Sequence, residues 1–316
     1  MKYAIRRVAT LLVTMLLVSL LTFLAFSLVS GDPAHTKLGT DATPEALAAL
    51  RREWGLDRPL ALRYLSWLGG FFSGDLGLSY SYGQSVWALI APKLTVTLCM
   101  CLLSFLLIVA VSIPLGVGSY RWSGSRFEWL STAFNQLCMA VPPFFTGILL
   151  SYGFGVALRV FTPGEAIDLR GDFWGAIRTL FFAAVSIAIP RVAMTVRMMR
   201  TTVVGEMNKA YVRTAISRGN DRRGVMLRHV LKNSLVSTVT FLGQTMAGII
   251  GGSIVVEQVF GVSGLGSFLV SSIRNRDYPV VQTIVVLLAF WVTLSGALAD
   301  LVNRAVDPRL RLGGDE

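Results

Sequence analysis

RMMRTTVVGEMNKAYVRTAISRGNDRRGVMLRHVLKNSL, residues 197–235, sets nine Lys and Arg side chains between two apolar stretches. It is too charged to cross a bilayer and too patterned for a slack linker. Tyr211–Arg218 reads as a helix, with Gly219 as the left-handed residue that ends it and Asp221 as the cap of the next. Val225, Arg228, His229 and Lys232 then continue the helical spacing. The stretch predicts a helix–turn–helix held between two membrane spans.

Working outward, the flanks decide the fold class. The chain has 316 residues, 53% hydrophobic and 15% charged, whereas a soluble domain carries about 25% charged residues. With a mean hydropathy of +0.62, this excludes a disordered chain and argues against a soluble enzyme. Six runs are long and apolar enough for a hydrocarbon core that needs about 20 helical residues. They are Val8–Val29, Leu94–Gly118, Trp129–Leu158, Thr179–Met199, Leu235–Val256 and Val280–Val302. The first holds 22 residues, more than the roughly 7–15 of a signal-peptide core, and reads as a retained helix. The expectation is an all-α polytopic membrane protein, one domain over residues 1–316 with six transmembrane helices.

Charge sets the expected orientation. With the N-terminus inside, the inner segments hold 17 of the 29 Lys and Arg residues, including Lys2, Arg6, Arg7, Arg126, Arg304, Arg309 and Arg311. The large outer segment, residues 31–93, has six basic and six acidic residues. Both termini are expected in the cytoplasm. Within the outer segment Thr43-Pro44-Glu45 opens a helix. Tyr64, Trp67, Phe71 and Phe72 suit the membrane interface.

Several residues invite chemistry and have a plainer reading beside it. Pro142-Pro143 must kink or break the third run; with Gln136 and Met139 it marks a candidate pathway bend or a packing kink. Arg191, after Pro190, is an intramembrane charge that attracts a substrate carboxylate, snorkels, or pairs with Asp300. Gly248 and Gly252, spaced Gly-x3-Gly, permit close helix approach. Glu257 ends the fifth run, and Leu265, Phe268, Leu269 and Ser272 then share one face of a helix expected on or in the outer leaflet. Gly261-Val262-Ser263-Gly264 imitates a serine-protease motif, but His35 and His229 lie outside the apolar runs and on opposite sides, so no base reaches Ser263. Cys99, Cys101 and Cys138 sit in apolar runs, and with only two histidines no metal set forms. A nucleic-acid reading of the basic loop is disfavoured by its tether to two spans. No Gly-x4-Gly-Lys-Ser/Thr loop occurs, so the chain has no phosphate cradle of that kind.

The loop resembles the coupling loop of ABC-importer permeases, and specifically the first permease of the dipeptide/oligopeptide/nickel group. The consensus Glu-Ala-Ala-x3-Gly-x9-Ile-x-Leu-Pro falls on Arg213, Thr214, Ala215, Gly219, His229, Leu231 and Lys232, with the first Glu and last Pro absent. Tags in the same order include Ser30-Gly31-Asp32-Pro33, Gly55-Leu56-Asp57-Arg58-Pro59, Gly74-Asp75-Leu76-Gly77, Val256-Glu257, Gly264-Leu265-Gly266, Asp277-Tyr278-Pro279 and Asp307-Pro308-Arg309. The resemblance covers nearly the whole chain. It implies a type I ABC importer permease fold and, as function, the membrane-spanning subunit of a binding-protein-dependent importer of peptides or peptide-like solutes. It also implies a bacterial or archaeal inner membrane, a second homologous permease, two ATP-binding cassette subunits, a solute-binding protein outside and lipid around. No cofactor is expected on this chain; ATP and Mg belong to the ATPases. Arg213, Thr214, Ala215, Gly219, His229 and Leu231 are the expected coupling residues, and Glu257, Leu265, Phe268 and Leu269 the expected outer gate or binding-protein contact. A stand-alone carrier or channel is the alternative class, with Arg191 and Asp300 as its only candidate ion-coupling groups.

Overall fold

The computed structural model describes residues 2–28, 32–39, 42–122 and 124–306. The expectations for Ser30-Gly31 and for Asp307-Pro308-Arg309, together with Arg311, lie outside them. So do the side chains of Lys2, Arg6, Arg7 and Arg304. The described chain is helical, with one isolated antiparallel bridge, Leu78 to Ser85. Five helices are long and apolar enough to cross a membrane, and a bent helix pair makes a sixth crossing if counted as one span. The chain divides into two compact units, Met1–Thr97 with Ser263–Thr293, and Leu98–Val262 with Leu294–Glu316.

In the first unit, α1 (Lys2–Leu28) is followed by α2 (Pro33–Leu38), α3 (Pro44–Glu53) and α4 (Leu60–Ser73). Thr43 caps α3 by accepting from the Ala46 N–H at 3.3 Å, with Pro44 in the first turn. The aromatic α4 is fastened to α1: the Tyr64 and Ser19 hydroxyls lie 2.9 Å apart, and the Tyr64 ring is 5.4 Å from that of Phe23. Next comes α5 (Val86–Gly118), 33 residues long, of which residues 86–97 belong to this unit. It begins before the expected Leu94, because Lys93 is one charge in an otherwise helical run. The unit closes with α12 (Leu265–Arg274) and the start of α13 (Tyr278–Val306). At the turn between them Asp277 is fully buried. Its carboxylate accepts from the Ser79 hydroxyl and from the Tyr80 and Ser81 N–H groups at 3.0 and 3.3 Å.

The second unit contains the broken span. α6 (Arg126–Ala140) and α7 (Pro143–Leu150) meet at 95°, and α7 continues as a π-helical turn to Ala157. Pro142 and Pro143 supply no N–H, and the residue before a proline is pushed out of the α region; Val141 accordingly takes φ −83° and ψ 122°. The expected kink is thus a full break. α8 (Phe173–Met207) carries Pro190 internally. A proline at 190 leaves the Ser186 carbonyl without its i+4 donor, and Thr146 Oγ1 of α7 reaches it at 3.2 Å. Asn135 Nδ2 of α6 donates to the Ala193 carbonyl at 2.8 Å. Free polar groups in a bilayer need such partners, so the two hydrogen bonds fasten both arms of the broken span to α8.

Beyond α8 come α9 (Ala210–Ser217), the single turn α10 (Arg222–Val225), a π turn at Met226–Val230, and α11 (Leu231–Phe260). The expected helix–turn–helix is present, but its second arm is not a separate helix. It runs through the π turn directly into the fifth span.

Candidate coupling loop and pathway residues

The loop between α8 and α11 is built around a small core. Met199, Val203, Met207, Val212, Val225, Met226 and Val230 are buried together, and Ala215, Ile216 and Leu231 pack against them. Burying these groups stabilises the loop by roughly 0.8 kcal/mol per CH2 removed from water, which is why a charged segment holds a fixed shape. Gly219 stands at φ +87°. Its N–H donates to the Ile216 carbonyl at 2.9 Å and the Asn220 N–H to that of Ala215 at 3.3 Å, the Schellman arrangement for ending a helix. A Cβ added at Gly219 would meet nothing within 4 Å, so this glycine is required by its backbone angle and not by crowding. Asp221 caps the next turn, accepting from the Gly224 N–H at 3.0 Å.

The six expected coupling residues fall on two sides of this loop. Arg213, Thr214, Gly219 and His229 are exposed. Ala215 and Leu231 face the core instead, so they shape the loop from within. Two residues outside the expected coupling set, Glu206 and Asn233, stand at its base. Glu206, 9% exposed, accepts from the Tyr211 hydroxyl at 2.8 Å and is paired with Lys209. Asn233 Nδ2 donates to the Tyr211 oxygen at 3.2 Å. Burial first, and the hydrogen bond to Glu206 next, hold the Tyr211 phenol above its ordinary pKa. The signal for Glu206 in the sequence is its place as the one acid among the bases of residues 197–220.

The expected pathway residues do not share one cavity. Gln136 lines a largely apolar groove of about 910 Å3 between α5, α6 and α8, together with Asn135, Phe134, Val192 and Arg197. Arg200, also in its lining, is ion-paired with Glu128. Met139, Pro142, Pro143 and Arg191 are not in its wall. The Met139 sulfur lies 4.0 Å from the Asn135 amide nitrogen, while Pro142 and Pro143 form the break described above. Arg191 points at α11, donating to the Gly248 carbonyl and, at 3.5 Å, to that of Thr245. A Cβ at Gly248 would sit 3.0 Å from Arg191 Nη1, and one at Gly252 3.6 Å from Nη2. The Gly-x3-Gly spacing makes room for a guanidinium.

Leu265, Phe268 and Leu269, expected at an outer gate or binding-protein contact, are 2%, 5% and 8% exposed, so the face they share is buried in the folded chain. The Leu265 N–H donates to Thr97 Oγ1 at 2.8 Å, and Phe268 packs beside Tyr82 and beneath Lys93. Glu257, in the second unit, is fully buried.

A helical chain with a core-stabilised basic loop between two long apolar helices has the form of a transport permease, and comparison with known proteins gives the family. Residues 112–312 match the model of the binding-protein-dependent transport system inner membrane component, and residues 1–101 match that of the N-terminal part of such membrane components. The chain belongs to this family of transport permeases. A Brucella abortus (strain 2308) protein, provisionally named a peptide transport system permease protein, is 36% identical over 307 residues, covering 97% of this chain and 98% of the relative. The oligopeptide transport system permease protein AppB of Bacillus subtilis (strain 168) is 32% identical over 311 residues, covering 98% of each. Among solved structures, an inward-facing MetNI methionine ABC transporter chain matches with a TM-score of 0.57 at 18% identity, covering 69% of this chain and 96% of that chain. That likeness concerns the fold and supports the type I importer architecture. The permease is accordingly a multi-pass protein of the inner membrane and a transport subunit, not an enzyme.

Proposed function

We propose that this permease is one half of the membrane domain of an ATP-driven importer of peptides or peptide-like solutes. It pairs with a second homologous permease, receives cargo from an extracytoplasmic solute-binding protein, and docks on two ATP-binding cassette subunits that hold ATP and Mg. Its termini and the 208–230 loop face the cytoplasm. The observation that carries this reading is the loop itself. It has its own apolar core, is continuous with α11 and adjoins α8, and presents Arg213, Thr214 and His229 outward. Force applied to such an element moves two spans. Peptide cargo is supported by the names of the relatives above, which cover this chain nearly end to end.

The test is reconstitution of the permease with its genomic-neighbour ATPases, second permease and binding protein in vesicles, supplied with a tryptic digest of casein. ATP-dependent accumulation of peptides, abolished by omitting the binding protein, supports the reading. Transport by this chain alone would establish the carrier reading instead.

A further inference from the structure

We propose that Glu206, Tyr211 and Asn233 form a clamp that makes the docking loop move as one body with α8 and α11. The inference rests on the docking reading above and concerns residues outside the six coupling positions. The two ends of the loop are attached differently. On the α11 side the helix is unbroken, since α10 passes through the π turn into Leu231 without leaving helical geometry. On the α8 side the helix stops. Asn208 has φ −86° and ψ −6°, and Lys209 is extended at φ −73° and ψ 153°. An extended residue between two helices is a swivel, and a push on α9 would be lost there in backbone rotation.

The side chains bridge that swivel. Glu206 lies on the last turn of α8, Tyr211 on the first turn of α9 and Asn233 on the first turn of α11. The Tyr211 hydroxyl donates a hydrogen bond to Glu206 Oε2 at 2.8 Å and accepts one from Asn233 Nδ2 at 3.2 Å. Lys209, the swivel residue itself, is ion-paired to Glu206 Oε1. One phenolic oxygen therefore joins three helices. A hydrogen bond to a carboxylate is shorter and stronger than one between neutral groups; the Glu206 arm is half-buried and the Asn233 arm exposed. Met207, Val212 and Val230 pack in the loop's apolar core, through contacts that do not involve the hydroxyl. The fold thus has its own support, and the clamp supplies stiffness.

Tyr211, Glu206 and Asn233 are positioning residues, and two readouts test them in the assembled importer. The first is backbone hydrogen exchange over residues 208–217. Tyr211→Phe, which removes one oxygen atom, is expected to speed exchange there about tenfold, the loss of one hydrogen bond to a charged group. Glu206→Ala should match it. Glu206→Gln, whose amide oxygen accepts the same proton, should restore most of the protection. The double variant Tyr211→Phe/Glu206→Ala should add little to either single change, since both act through one network. The second readout is peptide accumulated from the casein digest per ATP hydrolysed. It should fall in Tyr211→Phe and Glu206→Ala while co-purified ATPase content is unchanged, and recover in Glu206→Gln.

Unchanged exchange and unchanged coupling in Tyr211→Phe would overturn the clamp. So would loss of ATPase content in step with uptake, which marks a docking or folding residue. Exchange decides the clamp even if the digest is not transported. Gly219→Val, measured alongside, tells the two ideas apart: if it uncouples while Tyr211→Phe does not, docking stands and the clamp falls.

Discussion

Thr146 Oγ1 lies 3.2 Å from the carbonyl oxygen of Ser186, the acceptor that Pro190 deprives of its helical donor. The hydroxyl also donates to the Pro143 carbonyl of its own helix at 2.8 Å, so one proton is shared between two carbonyls. Thr146→Val keeps the shape and removes the donor. It should lower thermal stability by about 1 kcal/mol, the scale of an intramembrane or buried hydrogen bond. Pro190→Ala returns an N–H to α8, and in that background Thr146→Val should cost much less. Equal costs in both backgrounds, measured by thermal unfolding of the purified assembly, would show that the hydroxyl does not serve Ser186.

Gly248 and Arg191 give a second expectation. Gly248→Val puts carbon where the guanidinium now lies, and overpacking of this kind costs about 1–3 kcal/mol. Shortening the partner with Arg191→Ala should relieve most of that cost in the double variant. A melting temperature for the double variant equal to the sum of the single losses would separate the two sites.

The proposed orientation rests on the expectation that 17 of the 29 basic residues lie on one side. Cysteine introduced at Thr43 or Gln84 should react with an impermeant maleimide in intact cells. At Ser217, which is exposed, it should react only after permeabilisation. Labelling of Ser217→Cys in intact cells reverses the topology.

Much of the fold was legible because bilayer physics leaves few solutions. Apolar runs of sufficient length had to be helices, and Thr43, Gly219 and Asp221 announced their caps by residue type alone. What stayed hidden depended on distant partners. Pro142-Pro143 promised a disturbance, but not its 95° size nor the carbonyls on α8 that Thr146 and Asn135 reach. The face of Leu265, Phe268 and Leu269 was correctly grouped by spacing. Spacing gives no direction, however, and the face is buried in the folded chain. The Gly-x3-Gly of α11 signalled a close approach, but only the structure shows that Arg191 is what approaches. Glu206 and Asn233 lie 27 residues apart and meet only through Tyr211.

That burial changes one expectation. Replacing Leu265, Phe268 and Leu269 with Ser removes core side chains, each worth about 2–5 kcal/mol. The triple variant should therefore lose folded protein, seen as loss of a monodisperse peak on size-exclusion chromatography. Full recovery of folded permease with weakened uptake would instead restore a role at the outer surface.

The coupling role of the loop is tested most directly at Gly219. Its φ of +87° makes any side chain with a Cβ cost about 1 kcal/mol or more, and the open space around it confines the disturbance to the turn and to whatever docks there. The measurement is ATP-driven accumulation from the casein digest in vesicles holding the full assembly with Gly219→Val, read with co-purified ATPase content; Arg126→Ala, outside this loop, is the control. The variant should insert and express normally, yet either lose its ATPases or hydrolyse ATP without moving cargo, while the control transports. Full uptake with full ATPase retention in Gly219→Val would contradict the account, leaving residues 208–230 as a basic loop against anionic lipid.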